Sequence, residues 1–136
     1  NNRAIEISNA ILERDYKIRW SCYAKPNSRL NLETFKIMRK SGCLNLHVGF
    51  ESGDPDVLEK IDKGCTVEQS KEFARYAHEA DLMIHGDFAM GHLGETQESM
   101  QRTIKLAKEI NPHTAQFQIM IPFKNTTKPG CPCTVF

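Results

Sequence analysis

Between Leu44 and Glu51 the chain alternates strictly. Leu44, Leu46, Val48 and Phe50 fall on one side, and Asn45, His47, Gly49 and Glu51 on the other. A period of two marks an extended strand with one apolar and one polar face. Three more segments share the pattern. Over residues 17–24, Ile18, Trp20 and Cys22 oppose Arg19, Ser21 and Tyr23. Over 83–90, Ile84, Phe88 and Met90 oppose His85 and Asp87; over 115–121, Phe117, Ile119 and Ile121 oppose Gln116 and Gln118. The intervening segments follow a helical period. Phe35 and Met38 lie one turn apart before a stop at Gly42, and Val67, Phe73, Ala74, Ala77 and Ala80 form one face behind a cap at Thr66. Met100, Thr103, Ile104, Ala107 and Ile110 form another face behind Thr96, and the first fifteen residues make a further amphipathic helix rather than a signal peptide.

Strands that alternate with helices predict βαβ crossovers and a parallel sheet, hence an α/β fold. A closed barrel of such units takes about eight strands and about 250 residues. With 136 residues the chain is an open sheet or a piece of something larger. Crossover helices cover only the apolar side, so the His, Asp, Glu, Gln, Arg and Tyr side faces water and a bound polar ligand. An antiparallel or edge sheet with one wet face would alternate in the same way without any ligand. The strand ends favour a ligand, because parallel sheets bind theirs at the C-terminal edges. The sequence places Glu51-Ser52-Gly53 at one such edge and Met90 to Thr96 at another.

Composition narrows the partners. Apolar residues are 40%, charged residues 26% and the formal net charge +1. That balance suits one soluble domain and supplies no field for nucleic acid or an anionic membrane. No apolar run approaches the roughly 18 residues of a membrane span. The five cysteines are scattered and odd in number, which fits a reducing cytoplasm better than a disulfide framework. Cys131 and Cys133 form the one close pair, and no second pair completes a tetrahedral metal site.

Taken in order, Trp20-Ser21-Cys22, Gly42-Cys43, Gly49-Phe50-Glu51-Ser52-Gly53, Lys63-Gly64 and Gly86 to Thr96 resemble the radical S-adenosylmethionine (SAM) superfamily. The resemblance is greatest to the branch with a cobalamin-binding domain that includes the anaerobic Mg-protoporphyrin monomethyl ester cyclases. It implies a parallel-stranded portion of a partial TIM-type (βα) barrel. Residues 1–126 would be barrel units three to six, and 127–136 a tail of non-native character. It implies a whole enzyme that uses SAM and a [4Fe–4S] cluster to make a 5′-deoxyadenosyl radical, with cobalamin as a further cofactor. The reaction would be of the oxidoreductase, cyclase or methyltransferase type. The C-x-x-x-C-x-x-C cluster motif and the glycine-rich segment after the second barrel strand are absent. Lys25 stands where the family often has Arg, His92-Leu93 where it has Leu-Pro, and Pro122 to Thr126 where it has Pro-x-Pro-Gly-Thr. No catalytic residue and no metal ligand is therefore assigned here, and this portion is expected to be inactive alone.

The resemblance also implies roles. Glu51 would accept hydrogen bonds from the ribose hydroxyls of SAM, and the Ser52 hydroxyl beside it would donate or accept one; Phe88 or Met90 would wall the adenine, with Gly91 and its turn offering backbone groups; Gln118 would help seat the adenosine or the substrate. Tyr23, His47, His85 and Asp87 would face a small-molecule substrate. The structural alternatives are that Glu51 caps a turn, Asp54 caps a helix over 55–61, Glu95 and Thr96 cap the next helix, and Trp20 packs in the core. Two other functions fit the pattern: a non-radical barrel module for a nucleotide or sugar, and a non-catalytic half-barrel used in assembly. Open sheet edges predict a homodimer or strand-exchanged oligomer.

Overall fold

A computed structural model describes residues 2–27, 31–92 and 94–121. Strands β1 (Trp20–Ala24), β2 (Cys43–Glu51), β3 (Met83–Met90) and β4 (Thr114–Ile119) form one parallel sheet in the order β1-β2-β3-β4. Helices α1 (Asn2–Glu13), α2 (Leu32–Lys40), α3 (Pro55–Lys60), α4 (Val67–Glu79) and α5 (Gln97–Ile110) connect them. Each crossover advances one place in the same direction. That is barrel winding; a doubly wound sheet would reverse. The fold is a parallel-stranded portion of a TIM-type barrel, as the residue pattern and the family resemblance led one to expect.

One layer of helices covers one face. Phe35 and Met38 of α2, Phe73 and Ala77 of α4, and Leu106 and Ile110 of α5 close over Leu46, Val48, Phe50, Ile84 and Phe88. Local chemistry sets the helix starts. Thr66 and Gln69 exchange side-chain and backbone bonds at the head of α4, as do Thr96 and Ser99 at the head of α5, and Asp54 caps α3 through the Val57 N–H. All three caps fall where the sequence places them. Trp20 is half-buried against the core, and its indole N–H donates to the Ser41 carbonyl at 3.2 Å.

The strands depart from simple alternation in two places. β1 begins at Trp20, leaving Ile18 outside the sheet and 46% exposed. There Trp20 pairs with Cys43 but Ser21 pairs with Asn45. The extra residue turns Cys43 fully into the core and leaves Leu44, expected there, half-buried. A one-residue bulge exchanges the faces of a strand, and nothing in the local pattern announces it. A second shift separates the pairs Gly49–Asp87 and Glu51–Phe88. On β4 Phe117 and Ile119 are exposed, as are Met120 and Ile121 beyond it; among the described residues no element covers this edge. Pro122 to Thr126 and the tail at 127–136 lie outside the described residues, with Cys131 and Cys133. Among the described residues no helix is long and apolar enough to cross a membrane.

Candidate functional site

The C-terminal end of β2 is strained. Glu51 sits at φ +64°, in the left-handed region that non-glycine residues rarely adopt. The conformation costs about 1 kcal/mol or more. Its Oε1 accepts a 2.9 Å bond from the Lys63 ammonium, and both side chains are largely shielded, at 28% and 18% exposed. The pair fills a notch. A Cβ on Gly49 would lie 2.6 Å from Glu51 Oε1 and 3.0 Å from Lys63 Nζ.

The next three residues are anchored to α5. Ser52 is fully buried; its hydroxyl meets Thr103 Oγ1 at 3.1 Å and accepts the Asp54 N–H at 3.1 Å. The Gly53 N–H donates to the same Thr103 oxygen at 3.0 Å. This corrects the reading of Ser52 as a hydroxyl turned toward a ligand, because its bonding capacity is used inside the fold. Asp54, 2% exposed, caps α3 with one oxygen and holds the Arg102 guanidinium with the other. Burial pushes its carboxyl up, but the Val57 N–H and the Arg102 guanidinium outweigh this and hold it below the usual carboxylate range. A folded-state value below the unfolded one means stability that is present above about pH 4 and lost as pH falls through the lower value. Asp54→Asn should therefore lower stability by about 1 kcal/mol at pH 7, discounted for the half-exposed Arg102. The gap should shrink toward pH 3, as read by urea unfolding at the two pH values.

At the end of β3, Met90 is half-buried and Gly91 takes φ +86°. The Gly91 and His92 N–H groups both donate to Glu95 Oε2, at 2.5 and 3.2 Å, so the loop is folded around its own carboxylate. Glu95 Oε1 and His92 Nε2 are buried without a hydrogen-bond partner among the described residues. Phe88 does not wall this loop. It is fully buried on the helix side, stacked between Phe50 at 5.6 Å and Phe117 at 5.0 Å. The correction follows from strand parity: Phe88 points opposite to His85 and Asp87, away from the polar face.

That polar face carries one continuous row. Tyr23 pairs in register with His47, His47 with His85, and His85 with Thr114. The ring centroids of Tyr23 and His47, and of His47 and His85, are 5.1 Å apart. Asn45 Nδ2 and His47 Nε2 lie within hydrogen-bond distance, at 3.2 Å. His85 meets Thr114 Oγ1 at 2.7 Å and Asp87 at 3.4 Å. Tyr23, His47, His85 and Asp87 are thus brought together. Glu51 stands above them at the strand end, and Gln118 lies apart on the exposed β4 edge, in register with Ala89. The residues missed by sequence reasoning are Lys63 as partner of Glu51, Thr103 as anchor of the loop and Thr114 beside His85. Only Lys63 carried a signal, the Lys63-Gly64 pair of the family pattern.

Cofactors place different demands on this surface. A [4Fe–4S] cluster needs three accessible thiolates. Cys22 and Cys43 meet each other against the core; Cys43 is pushed far up by its bond to Cys22 and by burial, and Cys22 is lowered by the same bond. Cys65 stands apart, raised by burial. No group of three or more His, Cys, Asp or Glu side chains suited to a metal ion occurs among the described residues. The three described cysteines do not fit the cluster. The Glu51 carboxylate, shielded and fixed at a C-terminal strand edge, does fit a neutral diol such as ribose.

Known proteins agree with this architecture. The profile of the radical SAM superfamily matches residues 2–107. An uncharacterised methyltransferase of Pyrococcus horikoshii is 36% identical over 124 residues, which are 91% of this chain and 27% of that protein. The anaerobic magnesium-protoporphyrin IX monomethyl ester cyclase of Rubrivivax gelatinosus is 25% identical over 120 residues, 88% of this chain and 22% of that one. The chain thus spans about a quarter of the length of these curated relatives. Among solved structures, the radical SAM methyltransferase TsrM of Kitasatospora setae, with cobalamin and a [4Fe–4S] cluster bound, is similar with a TM-score of 0.76. At 19% identity over 85% of this chain and 24% of that one, this likeness speaks for the fold. With four parallel strands, the Gly49-to-Gly53 and Gly86-to-Thr96 sequence motifs in family order and a profile that matches most of its length, this chain belongs to the radical SAM superfamily.

Proposed function

We propose that this chain supplies part of the SAM-binding wall and of the substrate face of a radical SAM enzyme. The observation that carries the reading is the Glu51 carboxylate, held in a left-handed conformation at the C-terminal edge of β2. When bound at a [4Fe–4S] cluster, SAM supplies a 5′-deoxyadenosyl radical; the described cysteines of this chain are not the ligands of that cluster. Glu51 accepts the ribose hydroxyls and the Gly91 backbone flanks the adenine, with Met90 at the end of the same strand and Gln118 on the neighbouring β4. Tyr23, His47, His85 and Asp87 line the floor below and orient a small polar substrate through their polar side chains. Similarity to a named methyltransferase, to a cyclase and to a cobalamin-bound structure supports methyl transfer or ring closure, with cobalamin as a further cofactor. The free thiols of Cys22, Cys43 and Cys65 suit a reducing cytoplasm. The uncovered apolar residues of β4 suit pairing with a second copy.

Isothermal titration with SAM tests the central claim. Glu51→Gln should weaken binding about tenfold, the loss expected when a charged acceptor becomes neutral. Equal affinity of the two proteins would remove Glu51 from the site. Binding of ATP or a free sugar in place of SAM would favour a non-radical module.

A further inference from the structure

Glu51 holds a conformation its side chain does not favour, so something must hold it there. Left-handed backbone suits Gly, Asn and Asp; a longer side chain adopts it only where the surroundings over-determine it. Three features at the end of β2 converge on that residue. The Lys63 ammonium bonds to Glu51 Oε1 at 2.9 Å, with the lysine side chain only 18% exposed, and lysine is rarely so shielded unless paired. Gly49 leaves the space in which the two charged ends meet. The path from Glu51 to Lys63 is itself fixed. Ser52 and Gly53 are seated on Thr103, Asp54 caps α3 and holds Arg102, and the chain reverses at Asp62 with φ +51°. The Lys63 N–H then returns to the Leu58 carbonyl at 2.9 Å.

We infer that Lys63 is a positioning residue: it clasps the Glu51 carboxylate over the notch at Gly49 and so fixes the angle at which that carboxylate meets the ribose diol. The inference rests on the reading of Glu51 as the ribose contact, and the clasp itself is testable without any ligand. The clasped pair is neutral overall and presents an oriented acceptor, which selects for hydroxyls on a nucleoside and not for charge.

Two measurements separate the clasp from the ribose reading. Without ligand, Lys63→Met should lower the thermal midpoint by roughly 3–6 °C, the shift expected for one shielded charge-assisted bond. In a Glu51→Gly background, where the left-handed backbone is relaxed and no carboxylate remains, the same substitution should leave the midpoint unchanged. Equal shifts in both backgrounds would overturn the clasp. With ligand, the probes are 5′-methylthioadenosine and its 2′-deoxy counterpart. The unaltered chain should prefer the ribose form about tenfold, Lys63→Met should abolish the preference, and Lys63→Arg should restore it. If Glu51→Gln abolishes the preference while Lys63→Met leaves it intact, the clasp is wrong. If the unaltered chain shows no preference, or Glu51→Gln leaves it intact, the ribose reading fails and the ligand-free pair of midpoints alone decides the clasp.

Discussion

Phe88→Ala should remove about 3–5 kcal/mol of folding stability, the range for deleting a buried aromatic ring from a close-packed core. The ring is fully shielded and lies nearly parallel to Phe50 and Phe117, at interplanar angles of 19° and 18°. Phe50 in turn meets Phe73 of α4, and Phe73 meets Phe35 of α2 edge-on at 5.0 Å. Phe88 thus lies inside a file of rings that runs from Phe117 of β4 through β3 and β2 to two helices. A void there cannot collapse without moving β2 against β3. Domains carry only about 5–15 kcal/mol in all, so the variant should be marginally folded at room temperature. Urea unfolding monitored by circular dichroism reads the loss. A change below about 1 kcal/mol would mean that Phe88 is not a core residue. If Phe88 instead walled the adenine, its removal would weaken SAM binding and spare stability, the opposite signature.

Gly53→Ala is the second large effect. A Cβ at this position would stand 2.3 Å from the Arg102 carbonyl oxygen, 2.6 Å from its carbon and 2.9 Å from the Thr103 Cα. All three are backbone atoms of α5, so no side-chain rotation relieves the clash. The segment after β2 must withdraw from the helix. It then loses the Gly53 N–H bond to Thr103 and the meeting of the Ser52 and Thr103 hydroxyls, both buried. The stiffer unfolded chain gives back less than about 1 kcal/mol. A net loss of about 3 kcal/mol and a fall of about 10 °C in the unfolding midpoint should follow. Because Glu51 lies two residues upstream, the same variant should also loosen its carboxylate. Unchanged thermal unfolding would show that this segment does not seat on α5.

Both effects bear on how much was readable beforehand. The common direction of the strands followed from the alternation of strand and helix periods, and the shared polar face from the period of two. The caps at Asp54, Thr66 and Thr96 were equally readable, since a cap is settled within four residues of chain. Tyr23, His47, His85 and Asp87 came together as expected because parallel register carries one face straight across neighbouring strands. These are local or periodic properties, and a linear string contains them.

Other features depended on partners far along the chain. Cys43 displaced Leu44 from the core through a bulge against β1, and the left-handed turn at Glu51 accompanies a second bulge against β3. Ser52 looked like a ligand contact until α5 arrived some fifty residues later with Thr103 to receive it. The salt bridge of Glu51 and Lys63 exists because that same docking returns the chain over the strand end. Periodicity is written in consecutive residues, whereas register shifts and buried hydrogen bonds are choices among distant groups, made only when packing brings those groups within about 3 Å of one another.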